Sequence, residues 1–356
     1  MHPNAPQATG RDNCFDLIRL VLALFVLFGH VSLYGGYETD WLRGLTKEHL
    51  SLGGLAVLGF FGLSGYLVTG SCAELMEHPK GVRRFLGRRF WRIMPGFWVC
   101  LCVTTFVVCP LIGWLRGRPL TAADFRVQDG ALDYLLHNWW LHIRQYNVVP
   151  VLNDAPYKGM NGSLWSLFPE AICYLLTLGL GSLKGFRENR WFAPAVLFFL
   201  TVLTAINFGR DNLLHGPTAI VLNRWYEPLS AYFTGMTIFC YRDRLNIATP
   251  PVAWFSCSIL VFLARFGGVM LFAPILIPLA LLSLGRLATI RLKQDLSYGV
   301  YIYSSLVLQI FAAIDAIRSR HWLYFVVVTA VTLALAAMSW NLVEKRCIRI
   351  GKKASI

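Results

Sequence analysis

Charged side chains are scarce in this sequence, and acidic ones are the scarcest. Asp, Glu, Lys and Arg make up 15% of the 356 residues, against about a quarter in soluble domains, while 56% of the residues are hydrophobic. This shortage of charge excludes an ordinary soluble domain and predicts a membrane-embedded protein. Only 19 residues are acidic against 33 basic, a formal net charge of +14. Because the basic residues are dispersed between apolar runs, we attribute the excess to membrane topology and expect no nucleic-acid partner.

The cysteines lack the spacings of a disulfide framework or a metal site. All nine lie in or beside apolar runs, with no CxxC pair and no histidine at metal-ligand spacing. We therefore expect free thiols that pack in the interior, and no bound metal. The start "MHPNAPQATGRDN" is polar and the first apolar run lacks a small-residue cleavage site, so we expect that run to be retained.

Ten apolar runs are long enough, or nearly so, to cross the roughly 30 Å hydrocarbon core of a bilayer. They lie near 16–34, 52–71, 92–114, 164–183, 191–208, 218–240, 252–265, 269–285, 296–314 and 322–343. No repeat array, low-complexity tract or second soluble domain accompanies them. The sequence predicts an all-α polytopic membrane protein of about ten transmembrane helices. We expect one membrane domain over 1–356, with no fused soluble domain.

Lysine and arginine cluster in alternate connections between these runs. The stretch "KGVRRFLGRRFWR" (80–92) carries six basic residues, and "KGFRENR", "RDR", "RLATIRLK" and "KRCIRIGKK" carry most of the others. By the positive-inside rule these connections and both termini are cytoplasmic. "RDR" and "RLATIRLK" share that side if the intervening run forms a hairpin that turns at 265–268. The long Trp- and Tyr-rich segment 115–163 then faces outward.

A histidine lies deep in the first apolar run. The eleven steps from Arg19 to His30 turn a helix about 20° past three full turns, which puts both residues on one face, about 16 Å apart. An ionisable side chain at this depth is costly and usually faces a cavity or a pathway. Histidine also suits proton transfer near neutral pH. The alternative is that Arg19 reaches the headgroups while His30 bonds a neighbouring helix.

Further charged residues border the third, fourth and last runs. Arg88, Arg89 and Arg92 are either a topology signal or an anion site, since the arginine fork suits phosphates. Glu170 follows "NGSLWS" in the fourth run and needs a polar partner or a polar cavity at that depth. Because Trp165 precedes it where the chain re-enters the membrane from the outward segment, we expect Glu170 in the outward half of that run. Glu344 ends the last run and is either functional or an exposed interfacial acid.

Five sequence features in order resemble the acyltransferase-3 membrane proteins, which O-acetylate bacterial surface polysaccharides and related extracytoplasmic sugars. They are the Arg19-to-His30 spacing, "FFGLSG", "RRFWRIMPG", "NGSLWSLFPE" and "DLSYGVYIY", and the resemblance covers nearly the whole chain. It implies a multi-pass protein of the bacterial inner membrane, with acetyl-CoA as the acyl donor and a surface polysaccharide or lipid-linked glycan as the acceptor. Two departures are visible. "YIYSS" lacks the His that many members carry after the paired tyrosines, and "VEKR" lacks the usual Pro after the acid.

The resemblance also implies roles for particular residues. It makes His30 the expected catalyst. From their positions in the sequence, we expect Arg19 to bind phosphate or steer the donor and Glu170 to orient the acceptor hydroxyl or support His30. Arg89 and Arg92, with their neighbour Arg88, are expected near the CoA phosphates. Candidate acceptor-binding residues are Asn161, Ser163, Trp165, Tyr298 and Glu344. His30 would either withdraw the proton of the acceptor hydroxyl or carry the acetyl group covalently.

Two other classes of function fit part of the pattern. In a proton-coupled transporter, His30 and Glu170 would form a proton relay. In a membrane scaffold, neither would perform chemistry. The arginine cluster beside the third run favours the transferase, because a proton-coupled carrier needs no site for the phosphates of CoA.

Overall fold

The computed structural model describes residues 13–37, 40–46, 49–78, 80–182, 191–209, 217–247 and 249–353, and this part of the chain is helical, without a strand. Ten long helices follow one another: α1 (Phe15–Gly35), α2 (Leu52–Leu75), α3 (Gly81–Leu115), α4 (Gly162–Ser182), α5 (Phe192–Gly209), α6 (Pro217–Cys240), α7 (Pro250–Phe266), α8 (Val269–Leu287), α9 (Ser297–Ala312) and α10 (His321–Lys353). Short helices cover Trp41–Leu45, Ala131–His137 and Asp315–Arg318.

The helical class predicted from the sequence is confirmed, and each predicted apolar run coincides with one long helix. Six of these helices, α1, α2, α3, α4, α8 and α10, are long and apolar enough to cross a membrane. Helices α7 and α9 and the first part of α5 are shorter apolar helices. The count of ten crossings and the location of the termini stay predictions.

A glycine pair joins α7 to α8, where the sequence predicts a hairpin. Gly267 and Gly268 have φ angles of 111° and 89°, a region that residues with a side chain rarely adopt. The two helices pack against each other after this turn.

Helix α3 starts well before the apolar run from which it was predicted. It begins at Gly81 rather than near residue 92, so the basic stretch is helical and not a loop. A π-helical segment at Thr104–Val108 interrupts it. Arg89 and Arg92 are three positions apart and are therefore neighbours on the helix surface. The basic C-terminal part of α10 packs against this same part of α3.

Helix α2 is central to the bundle, packed against α1, α3, α4, α6 and α8. Its glycines allow α6 to approach closely. A Cβ atom at Gly65 would lie 2.0 Å from the carbonyl oxygen of Tyr232, and one at Gly235 would lie 2.0 Å from that of Gly62. Both distances exclude any larger residue, which is the small-residue packing common between membrane helices. Gly62 and Gly65 both belong to the "FFGLSG" stretch of the sequence.

The helices that carry the candidate functional residues surround α2. Helix α1 packs between α2 and α9, and α9 packs against α10. At Gly29 a Cβ atom would lie 2.8 Å from the backbone nitrogen of Gly53, so α1 and α2 nearly touch one residue before His30. No disulfide joins the cysteines of the described residues.

Candidate functional site

The first cavity, which we call the arginine cavity, lies toward the N-terminal end of α1 and has a volume of about 100 Å³. Helices α1, α2, α3, α4 and α9 all contribute to its wall. Its polar lining residues are Arg19, Ser64, Arg89, Arg92, Ser166, Glu170, Tyr174, Ser297, Tyr298 and Tyr301. The structure thus brings together three arginines from two helices. Arg19 lies 70 or more positions before Arg89 and Arg92 in the sequence.

Arg92 is held in this cavity by an acid that the sequence did not single out. Its Nη2 atom lies 2.7 Å from Oδ2 of Asp295, in the connection between α8 and α9. Ser297 donates to the other carboxylate oxygen at 2.6 Å. Burial alone would raise the pKa of Asp295, but the Arg92 and Arg19 guanidiniums outweigh it and hold that pKa below its usual range. The pair therefore stays charged at neutral pH.

Arg89 is less fully engaged than Arg92. Its guanidinium carbon lies 5.4 Å from the centre of the Tyr174 ring and 5.5 Å from that of Phe85, in cation–π range. Its Nε atom is buried and has no hydrogen-bond partner among the described residues. A buried donor of this kind is costly unless something accepts from it. Arg89 therefore suits an anionic ligand.

Glu170 belongs to the arginine cavity and not to the cavity of His30. Its Oε1 atom accepts hydrogen bonds from Ser64 Oγ at 3.2 Å and from the Tyr174 hydroxyl at 2.5 Å. It thus has the polar partners that its depth requires. Trp165, its neighbour in the sequence, lines the cavity of His30 instead, and the expected role of Glu170 toward the acceptor stays a prediction.

The second cavity contains His30 and lies toward the C-terminal end of α1. We call it the histidine cavity; its volume is about 460 Å³. His30 is half-buried, and its Nδ1 atom lies 2.7 Å from the carbonyl oxygen of Val26 on the same helix. This is a bond within α1 rather than to a neighbouring helix. The cavity also takes in Trp165 and Ser163, two of the predicted acceptor-binding residues.

Three charged residues of the histidine cavity were missed by the sequence reading: Asp40, Arg43 and Glu227. The Asp40 carboxylate accepts from the backbone nitrogens of Arg43 and Leu52, both at 2.9 Å, and so fixes the connection between α1 and α2. Glu227 is an acid inside the apolar run 218–240, the same signal that drew attention to Glu170.

The two cavities share two wall residues, Val57 and Tyr301. The Tyr301 hydroxyl donates to the carbonyl oxygen of Ser163 at 2.5 Å and lies 2.5 Å from Ser166 Oγ. Arg19 lines one cavity and His30 the other, on the same face of α1. The two cavities therefore adjoin each other at Val57 and Tyr301.

The remaining predicted site residues are positioned differently. Tyr298 lines the arginine cavity and donates its hydroxyl to the carbonyl oxygen of Ile93 at 2.7 Å. Asn161 is fully buried and donates to the carbonyl oxygen of Ile302 at 2.7 Å. Glu344 is 4% exposed and accepts from Ser339 Oγ at 2.8 Å, so the interpretation as an exposed interfacial acid is wrong. Arg88, Asn161 and Glu344 are not among the residues that line the two cavities.

Comparison with known proteins adds a second, independent observation. A family model described as an acyltransferase domain matches residues 12–340. An O-acetyl transferase of Shigella phage Sf6 is 29% identical over 370 residues, covering 97% of this chain and 99% of the phage protein. Nodulation protein 10 of Rhizobium leguminosarum bv. viciae is 26% identical over 379 residues, covering 98% and 97% of the two chains. No solved structure matches significantly.

Proposed function

The chain belongs to the acyltransferase-3 family, and on that premise we propose that this multi-pass membrane protein moves an acetyl or other acyl group from acetyl-CoA to a hydroxyl of a cell-envelope glycan across the membrane. One observation carries the proposal. A cationic cavity and a histidine cavity lie toward opposite ends of the same helices and share Val57 and Tyr301. A donor and an acceptor that never share a compartment need such a meeting point.

The arginine cavity suits the donor. Arg19, Arg89 and Arg92 present guanidinium groups, which bind phosphates in a fork geometry. A volume of about 100 Å³ is small beside typical ligand pockets of roughly 300–1,000 Å³. The narrow pantetheine arm with its thioester would therefore enter, and the bulky nucleotide would stay at the mouth. By the positive-inside rule this mouth faces the cytoplasm, where acetyl-CoA is made.

The histidine cavity suits the acceptor and supplies the base. Nε2 of His30 would take the proton of the acceptor hydroxyl as its oxygen attacks the thioester carbonyl. The new ester bond forms, the carbon–sulfur bond breaks, and the proton passes from His30 to the departing CoA thiolate. In the alternative, covalent route Nε2 attacks the thioester carbonyl itself and CoA leaves as the thiolate. The acceptor hydroxyl then takes the acetyl group from Nε2, and its proton passes to the thiolate. Trp165 offers a flat apolar surface to the sugar ring, and Ser163 and Glu227 offer hydrogen-bonding groups.

The relatives support O-acetylation, since the phage relative is named an O-acetyl transferase. We place the protein in a bacterial inner membrane with a carbohydrate acceptor, because the chemistry requires cytosolic acetyl-CoA on one side and an envelope glycan on the other. The proton relay of a transporter gains no support. His30 and Glu170 line separate cavities, and each has its own partners.

The decisive experiment supplies radiolabelled acetyl-CoA to membrane vesicles of known orientation, from cells that carry or lack the gene. We expect label in the glycan fraction only with the gene, and only when acetyl-CoA reaches the face that the basic connections occupy. Mass spectrometry of the glycan should show an acetyl increment. Unlabelled glycan in the presence of folded protein would refute the transferase activity. Equal labelling from both faces would refute the proposed transfer from the cytoplasmic to the outer side.

A further inference from the structure

A large groove adjoins the histidine cavity between α1 and the start of α10. Its volume is about 650 Å³. The apolar part of its wall is formed by Phe28, Val31, Trp41, Trp322 and Phe325. The Phe28 and Phe325 rings are in contact, with their centres 4.8 Å apart. A groove of this size and lining suits a flexible hydrocarbon chain, which gains affinity mainly by burying apolar surface.

The groove adjoins the histidine cavity. Ser32, Tyr37 and Asp40 line both of them. A ligand whose apolar part lies in the groove can therefore extend its polar end past Tyr37 to His30. These shared residues distinguish the groove from the ordinary lipid-facing surface of a membrane helix, which borders no polar cavity.

The depth of the groove matches the boundary between lipid and water. Trp41 and Trp322 are 64% and 82% exposed at its rim, and exposed tryptophans mark this boundary in membrane proteins. The anchor of a lipid-linked substrate joins its polar head at the same depth. A substrate diffusing in the bilayer plane could thus enter sideways, with its head already at the level of the histidine cavity.

Two basic side chains, Arg43 and His321, lie where the groove meets the cavity and suit an anionic linkage. The Arg43 side chain lines the histidine cavity, and His321 lines the groove at the N-terminus of α10, where the helix dipole favours negative charge. The carboxylate of Asp40 lies at the same junction, and the two backbone nitrogens that donate to it partly compensate its negative charge. An apolar chain, an anion and then a polar head is the chemical order of a polyprenyl diphosphate-linked sugar.

Building on the proposed function, we propose that the groove binds the polyprenyl chain of a diphosphate-linked glycan, so that the acceptor is the lipid-linked precursor rather than the finished polymer. The isoprenoid chain lies along Phe28, Val31 and Phe325, the diphosphate lies near Arg43 and His321, and the sugar reaches His30. A phospholipid has a similar tail and charge, but its headgroup would occupy the histidine cavity without supplying the sugar hydroxyl.

Native mass spectrometry of the purified full-length protein tests this binding directly. The probes are undecaprenyl diphosphate and, as the competing source of an anionic lipid, phosphatidylglycerol. Val31→Trp fills the groove, and Val326→Trp is the matched control, because Val326 is 57% exposed on α10 and does not line the groove. We expect undecaprenyl diphosphate to bind the wild type and the control, and Val31→Trp to weaken binding about tenfold or more.

Three outcomes would overturn the proposal: unchanged binding by Val31→Trp, equal loss in the Val326→Trp control, or equal competition by phosphatidylglycerol. Retained acetyl-CoA binding shows that a variant is folded, and Phe325→Ala replaces Val31→Trp if the latter does not assemble. The assay contains no acetyl transfer, so its failure leaves the proposed function standing. Failure of the vesicle assay with intact polyprenyl binding would instead refute the transferase.

Discussion

The Nδ1 atom of His30 lies 2.7 Å from the carbonyl oxygen of Val26, one turn earlier on α1. A carbonyl oxygen only accepts, so Nδ1 carries the proton of the neutral ring and Nε2 is left with a lone pair. The bond also fixes the orientation of the ring against its own helix. His30 is therefore held in the tautomer that a base or a nucleophile requires, without help from a carboxylate.

Replacing this histidine should abolish transfer without unfolding the protein. His30 is half-buried in a cavity wall, so His30→Ala removes few packing contacts. We expect turnover to fall by about 10²–10⁴-fold, the usual contribution of a general base. Glycan acetylation and size-exclusion chromatography measure the two effects. His78→Ala is the control, because His78 is an exposed histidine just after the C-terminal end of α2. Near-normal acetylation by well-assembled His30→Ala protein would remove His30 from the mechanism.

Arg89 should contribute to donor affinity more than to stability. It lines the arginine cavity with an unsatisfied Nε atom, so Arg89→Gln removes a charge that no protein acid neutralises by a described ion pair. We expect the Kd for acetyl-CoA to rise about tenfold, the value of one charge-assisted hydrogen bond, as measured by isothermal titration calorimetry. Added salt should weaken wild-type binding.

Arg83→Gln is the matched control for Arg89→Gln, because Arg83 is an exposed arginine on the same helix that does not line the cavity. Equal affinities of the two variants for acetyl-CoA would indicate that the basic cluster only directs membrane topology.

Asp295 should stabilise the protein in a pH-dependent manner. Because its folded pKa is held below the usual range, its contribution is fully present above about pH 4 and is lost as the pH falls further. Asp295→Asn leaves Arg92 without its partner. We expect a loss of about 2 kcal/mol at pH 7, less than for a fully buried pair, because the Arg92 side chain is 31% exposed.

Thermal unfolding in detergent between pH 3 and 7 measures the effect of Asp295→Asn. This range brackets the pKa of an unperturbed aspartate, about 4. The acid-induced loss of stability should be smaller in the variant than in the wild type. Asp154→Asn is the control, since Asp154 pairs with Arg118 at 70% exposure and should contribute little. An Asp295→Asn protein as stable as the wild type at neutral pH would contradict the structural role of the pair.

A larger side chain at Val57 should block transfer between the cavities. Val57→Phe adds volume in the wall that both cavities share, so the acetyl group and the hydroxyl should no longer meet. We expect transfer to fall about tenfold or more while acetyl-CoA affinity changes less. Val21→Phe is the control, because Val21 is 38% exposed on α1 and borders neither cavity. Unimpaired transfer through Val57→Phe would place the reaction elsewhere.

The helices could be predicted because hydrocarbon demands long apolar runs, and each run is visible without knowledge of its neighbours. Hydropathy detects only the apolar part of a helix, which is why α3 was predicted to start near residue 92 instead of Gly81. The shared face of Arg19 and His30 followed from helix periodicity alone.

The division of the site into two cavities could not be predicted, because it depends on depth along helices from distant parts of the chain. The change of cavity falls between Trp165, which lines the histidine cavity, and Ser166, which lines the arginine cavity with Glu170. Asp295 lies 203 positions from Arg92, and no local pattern joins them. Glu227 could have been predicted as a site residue, because it is an acid inside the apolar run 218–240, as Glu170 is inside the fourth run.

If the protein transfers acyl groups across the membrane as proposed, the shared wall of the two cavities has an electrical consequence. With water on both sides of it, most of a transmembrane voltage would fall across the thin layer around Val57 and Tyr301 instead of the full width of the bilayer. Arg19 and His30, on one face of one helix, would then lie at nearly the full potential of opposite compartments. A proton taken up by His30 and released with the CoA thiol would cross that layer, so the membrane potential would bias the rate of acyl transfer.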